Sequence, residues 1–290
     1  IVYISSMGVS SFSIPVFLKI LLTSSSQITL AMIGLSLLIG IPLLMLIYNG
    51  TKLIFGFRTK FRFIGLSSFS LWLTGLVLCG IVALQVTRSF SHKYVKTQTA
   101  SLIQPIKNTL YLDLKPDNSI DSLKSYDEKF LLGQWNMVTA NGKNIHFGVP
   151  NLEFIKSETD SFNLLIFYSA RGENRDIAMQ RANLIDYKFV QKDSVLLFNP
   201  YFYLPVKEKW RNQNVRILLK IPVGKGIFIN KNMGILLNNP NSDSTNSELI
   251  NKKWIMQEGG LKVPTYFAPV QAKVDSSKID KKPILNKKIK

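Results

Sequence analysis

The chain has 290 residues, 46% of them hydrophobic, with a formal net charge of +18 and a single cysteine, Cys79. That length holds a pair of spanning helices and one further domain of ordinary size, and one cysteine excludes an intrachain disulfide framework. The charge is uneven: residues 1–112 carry nine basic side chains and no acidic one, and the remainder carries 27 basic against all 18 acidic.

Residues 1–18 are uncharged but short, and Pro15 interrupts them. No basic residue precedes their apolar run, so a signal peptide fits poorly. Residues 1–27 therefore read as the end of an earlier transmembrane helix, part of a third helix, followed by an interfacial loop. Two uncharged stretches follow, Ile28–Tyr48 and Ile64–Val86. Each is long enough to cross a bilayer core as a helix, the structure that satisfies its own backbone there. Pro42 is expected to kink the first span, with nearby Gly40 giving a neighbour room. Residues 28–86 form a transmembrane helical hairpin on this reading. In the second span Gly65, Ser68, Gly75 and Gly80 are candidate helix-packing positions, because small residues let helices approach where no hydrophobic force drives them together. They face either the other helix of the hairpin or a partner helix. Cys79 reads as a small residue in lipid or at a helix contact.

The connector 49–63 contains Lys52, Arg58, Lys60 and Arg62 and no acid. Short basic loops stay in the cytoplasm, which places the residues after 88 outside it. Phenylalanines 55, 57, 61 and 63 alternate with these cations, a pattern suited to lipid headgroups.

Residues 87–108 read as a polar stalk, and residues 109–270 as a β-rich periplasmic domain. TLYLDL, NLEFIK, FNLLIFYS, LIDYKFV, SVLLFN, VRILLKIP, GIFIN and GILLN are short runs rich in β-branched and aromatic residues. Asn141-Gly142, Pro116-Asp117 and Gly224-Lys225-Gly226 mark turns. In VRILLKI, Val215, Ile217, Leu219 and Ile221 share one face. The segment 176–183 suits either a helical turn or an edge strand. The fold class is thus an α+β membrane protein, its extracytoplasmic part an all-β sandwich or short solenoid. Residues 238–248 read as a surface loop and 271–290 as a basic disordered tail. The tail is either solvated or drawn to anionic headgroups. It holds no aromatic residue to stack on bases, so nucleic acid is not an expected partner.

No motif carries chemistry. His92 and His146 have no His or Cys partner at metal-ligand spacing. A nucleophile elbow, a P-loop and a dinucleotide fingerprint are all missing. No charged residue lies inside either span, against ion or proton transport by this segment alone. The expectation is a non-enzyme with no catalytic residue, cofactor or metal.

Several segments together resemble a known family. IYNGTKLIFGFRTK and then LWLTGLVLCGIV are similar to the helix, basic loop and helix of the long phage-shock-protein-C-like (PspC) membrane proteins of Bacteroidetes. Trp210, Arg211, Gln213, Val215, Pro222, Gly224 and Lys225 resemble a Trp-Arg-x-Gln-x-Val strand ending in Pro-x-Gly-Lys. Gly172, Ala178, Ala182 and Tyr187, and later Trp254, Met256, Gly260 and Leu261, fit the same family's pattern. The small PspC module with which such proteins begin has no counterpart here. The resemblance implies an inner-membrane protein with a β-rich periplasmic domain and a link to envelope stress, and it implies no catalytic residue.

The resulting expectation is an envelope-stress sensor acting on other membrane or periplasmic proteins from the lipid bilayer. One alternative is a constitutive accessory subunit of a larger complex. Another is a periplasmic ligand-binding module, for which Trp210, Arg211 and Trp254 are the candidate surface. The simpler reading of those aromatics is core.

Overall fold

The computed structural model describes residues 18, 20–22, 24–56, 63–116, 128–132, 135–140, 143–237 and 248–264. The expectations for Arg58, Lys60, Arg62, the turns at 116–117 and 141–142, the loop 238–248 and the tail 271–290 fall wholly or partly outside them.

Two long helices open the described chain: α1, Ser25–Phe55, and α2, Ile64–Ser89. Both are long and apolar enough to cross a membrane. Their boundaries follow from capping. The Ser24 side chain accepts from the Ser26 N–H at 3.2 Å, and Gln27 Oε1 accepts from the Ser24 N–H at 3.4 Å, a capping box. Residues 24–27 are therefore a helix start, not the interfacial loop expected there. At the other end Gly56 takes φ 65° and its N–H reaches Lys52 O at 3.0 Å. The helix thus runs through Pro42 and past Asn49-Gly50, so that the first part of the expected loop 49–63 is its last turns.

The helices pack closely at two glycines. A Cβ on Gly75 would lie 2.7 Å from Leu37 Cβ and 2.9 Å from Leu38 N. A Cβ on Gly34 would lie 2.9 Å from Cys79 Sγ. Among the described residues, Gly40, Gly65 and Gly80 have nothing within 4 Å of that position, so none of the three packs against the other helix of the hairpin. Ser68 is half-buried. Nearer the β domain, Gln27 Nε2 donates to Gln85 Oε1 at 2.9 Å, and Leu18 and Leu22 cluster with Ala31 and Val82. Ile20, between those two leucines, belongs instead to the core of the β domain.

That domain begins earlier than the sequence suggests. The expected stalk holds strand β1, His92–Ser101, paired antiparallel over its whole length with β7, Asn163–Gly172. Its side chains are mostly exposed because β1 is an edge strand, so the alternation that betrays a half-buried strand is absent. The first sheet has the order β1–β7–β11–β6, with β6 at Asn151–Lys156 and β11 at Asn214–Ile221. A second, wholly antiparallel sheet has the order β10–β5–β4–β3: β3 Glu128–Leu132, β4 Trp135–Ala140, β5 Lys143–Gly148 and β10 Phe202–Leu204.

The third sheet has the order β14–β13–β12–β2–β9–β8. Its strands are β2 Thr109–Leu114, β8 Phe189–Lys192, β9 Val195–Phe198, β12 Gly226–Ile229, β13 Lys252–Gln257 and β14 Gly260–Lys262. The pairs β2–β12, β2–β9 and β6–β11 are parallel, which a simple meander of hairpins does not produce.

One core joins the first and third sheets. The row Val215, Ile217, Leu219 and Ile221 is fully buried, as is the row of Leu164 and Ile166 beside it; Leu110, Leu112, Leu196, Phe198, Ile227 and Ile229 complete the core from the third sheet. Two expected strands are something else. GILLN begins inside a 3-10 helix, Lys231–Ile235, with Leu236 as its C-cap; the side chains of the N-cap Asn230 and of Asn232 both donate to the Asp113 carboxylate at 2.9 Å. In LIDYKFV the chain pairs only at an isolated Asp186–Tyr203 bridge before β8 starts. The ambiguous 176–183 segment is helical, within α3, Arg175–Asn183, capped by Asn174 Oδ1 on the Ile177 N–H at 2.9 Å.

Candidate functional site

The junction between α2 and the β domain gathers a dense set of polar and aromatic contacts. Only Phe90 and Ser91 separate the spanning helix from β1. Both are fixed. The Phe90 carbonyl accepts from Arg171 Nη1 at 2.9 Å. The Phe90 ring lies 5.4 Å from the Trp210 ring and 5.2 Å from the Arg211 guanidinium carbon, a cation–π and aromatic cluster. Ser91 Oγ donates to Glu173 O at 3.0 Å. His92 Nδ1 lies 3.0 Å from the same carbonyl and 2.9 Å from Ser91 Oγ.

The other wall is the turn 205–213. The Glu208 N–H closes it onto Pro205 O at 2.9 Å. Gln213, 2% exposed, reaches back with both ends of its amide: Oε1 accepts from the Arg211 N–H at 2.7 Å and Nε2 donates to Lys209 O at 2.8 Å. Asn212 between them takes φ 53°, the left-handed region that asparagine tolerates. Arg211 is 1% exposed. Its carbonyl accepts from the Arg171 N–H at 2.8 Å, and its Nη1 donates to Trp210 O. Burial lowers its pKa to about 10, with repulsion from Arg181 adding to the drop and Glu208 opposing it. Arg181 Nη1 donates to Arg171 O at 3.0 Å, and its Nε sits 3.8 Å from Glu208. Trp210, Arg211, Gln213 and Val215 thus form one device. The tryptophan and arginine hold the helix end, the glutamine shapes the turn, and the valine starts the core row of β11.

Gly172 seats α3 beside this junction. A Cβ there would fall 2.6 Å from Ala178 N and 3.1 Å from Asn174 O. Those are backbone atoms and cannot rotate away. We expect Gly172→Ala to cost about 1–3 kcal/mol by forced overpacking, read as a lower melting temperature of the full chain in detergent.

His146 supports the turn from β5. It is 7% exposed, opposite Leu204 of β10. Burial lowers its pKa below 6.5, and repulsion from Lys209 adds to this; hydrogen bonds to the Glu208 and Pro205 backbone work the other way. A histidine with a depressed folded pKa takes up its proton in the unfolded chain first. Stability is therefore full above the unfolded value of 6.5 and falls with pH from there down to the folded value. Melting temperature should drop as pH is lowered from about 7 to about 5.5, and the drop should be smaller for His146→Gln.

The structure separates the residues that the sequence grouped. Trp210 and Arg211 meet at the junction, whereas Trp254 lies half-buried in β13, its Nε1 donating to Leu249 O at 2.9 Å. Among the described residues no hydrogen bond or ring contact joins Trp254 to the other two. Lys52 is exposed in the last turn of α1, on the far side of the hairpin. Phe90, Arg171, Arg181 and Glu208 went unrecognised in the sequence. Among the described residues no group of three His, Cys, Asp or Glu could hold a metal ion.

Two family models match the chain. The PspC transmembrane region matches residues 1–90, and the ToastRack found in some PspC matches residues 139–264. The first ends at Phe90, and the second contains the whole turn 205–213. No curated protein and no solved structure matches. The Toast-rack is a β-solenoid-like fold, in keeping with the parallel ladders, and neither family is an enzyme family. With its span region and its β domain each matched to one half of that architecture, the chain is a PspC-like membrane protein.

Proposed function

We propose that this PspC-like chain is a non-enzymatic inner-membrane sensor of envelope stress. Its β domain would lie in the periplasm, and its output would pass through the hairpin to other membrane or periplasmic proteins. The observation that carries this reading is the two-residue junction. A ligand or partner shifts a switch only through an element that has different energies in its two states. A β domain on a flexible stalk would move without moving the helices. In this chain β1 continues from α2 with only Phe90 and Ser91 between them, and Arg171, Trp210 and Arg211 grip Phe90. Rotation of the β domain therefore turns the helix end.

The orientation rests on the basic loop with Lys52, Arg58, Lys60 and Arg62. A ligand-binding surface finds little support, since Trp210 is committed to Phe90 and Trp254 to Leu249.

The test is the native protein purified in gentle detergent, with its partners identified, alongside an envelope-stress reporter. Phe90→Ala removes the grip while leaving both domains. It should insert normally and lose most of the stress response. Wild-type output from that variant would sink the sensor reading. A partner held at fixed stoichiometry in unstressed cells, unaffected by the variant, would instead make the chain an accessory subunit.

A further inference from the structure

The junction lies at the bilayer surface, and its charge is unbalanced. Helix α2 has 26 residues, about 39 Å of helix, against a hydrocarbon core of about 30 Å. The apolar stretch ends near the Gln27–Gln85 hydrogen bond, so Arg88 and the residues after it stand at headgroup depth. Three segments meet there: 88–93, 171–181 and 205–211. Together they hold eight Arg and Lys side chains against Glu173, Asp176 and Glu208.

The structure leaves much of this charge facing outward. Lys93 sits directly opposite Arg171 in the β1–β7 ladder, and like charges so placed are destabilising. Among the described residues, neither has a carboxylate within ion-pair distance. Arg88, Lys93, Arg175 and Lys207 are exposed. Lys207 follows Val206, which is 54% exposed at the tip of the turn, and that turn is tied through Trp210 to the first residue beyond the helix. An apolar tip beside a cation is the pattern of a segment dipping into headgroups. Repelling cations at the membrane surface need an anion, and the nearest dense source is lipid phosphate.

We propose that this collar is a binding site for anionic phospholipid headgroups, seated between β1, α3 and the turn 205–208. It is distinct from the basic loop on the other side of the hairpin. It holds whichever side of the membrane the β domain occupies, and it does not depend on stress sensing.

The test uses the full chain in mild detergent with the opposite cluster removed by K52Q, R58Q, K60Q and R62Q. Phosphatidylglycerol and phosphatidylcholine are titrated in, and bound lipid is counted by native mass spectrometry. The collar should prefer phosphatidylglycerol by at least about 25-fold, since Lys93 and Lys207 near a charged surface each contribute about a factor of five. Adding K93Q and K207Q should weaken phosphatidylglycerol binding by about 25-fold and leave phosphatidylcholine binding unchanged. K93R with K207R should restore it, which separates charge from folding. Equal retention of the two lipids, or no loss in the K93Q/K207Q chain, overturns the site. Displacement of phosphatidylglycerol by millimolar inorganic phosphate overturns its assignment to lipid.

Discussion

Truncating Arg211 to alanine should destabilise the β domain by about 3–5 kcal/mol, the range seen when a large or charged buried side chain loses its place. For a domain of this size that is a fall of roughly 6–20 °C in melting temperature. The cost has two sources. The aliphatic stem and guanidinium fill a space that is 1% exposed beneath Phe90, and alanine leaves it empty. The Trp210 carbonyl also loses its donor, and a partly buried acceptor without a partner carries its own penalty.

Charge itself contributes less. Burial already depresses the Arg211 pKa to about 10, and Arg181 repels it, so the cation is held at a cost. Arg211→Met keeps the length and drops the charge, and should stay within about 1.5 kcal/mol of wild type. Arg211→Lys keeps the charge without the planar stack on Phe90 and should fall between the two. Thermal melts of the full chain in detergent give the order. If methionine costs as much as alanine, the guanidinium's hydrogen bond and ring contact, not packing, hold the junction.

Most of the architecture was open to reading from the residues, and the exceptions share a cause. The spans declared themselves by composition, and the strands Thr109–Leu114 and Asn151–Lys156 by residue type. Strand β1 did not, because HKYVKTQTAS is an exposed edge and owes its shape to ten register partners far away in sequence. GILLN has strand-like composition, but Asp113 gathers Asn230 and Asn232 into a helical turn. Local propensity cannot report such pairings. The junction was half legible. The buried odd-numbered row of β11 continues back from Val215 through Gln213 to Arg211, and that phase was a signal that a charged residue pointed inward. That its cover is Phe90 follows only from the fold.

Among the helix glycines, phase separates those at the hairpin contact from those that face away from it. Ser68, Trp72, Gly75, Cys79, Val82 and Val86 are at least half-buried and fall at alternating spacings of four and three, the stripe of a packed helix pair. Gly65 and Gly80 lie off that stripe, with no described residue within 4 Å of a Cβ built there. Gly75→Leu should therefore separate the hairpin, while Gly80→Leu should not. The first atom of the new side chain would meet Leu38 N at 2.9 Å and Gly34 O at 3.1 Å. Both belong to the partner backbone, so the helices must move apart and not merely repack. Without a hydrophobic force between them, close backbone contact is what holds such helices together.

Cys79 supplies the readout. A Cβ at residue 34 would lie 2.9 Å from its sulfur, so Gly34→Cys should cross-link to it on oxidation. Trypsin cutting the basic loop then leaves the two helices joined on a non-reducing gel. Adding Gly75→Leu should cut the joined fraction at least about fivefold, the effect of roughly 1 kcal/mol of lost association. Adding Gly80→Leu should leave it unchanged. Loss of the cross-link in both would mean that the whole glycine face of α2 is engaged and that the hairpin packs through a surface broader than the Gly34–Gly75 contact.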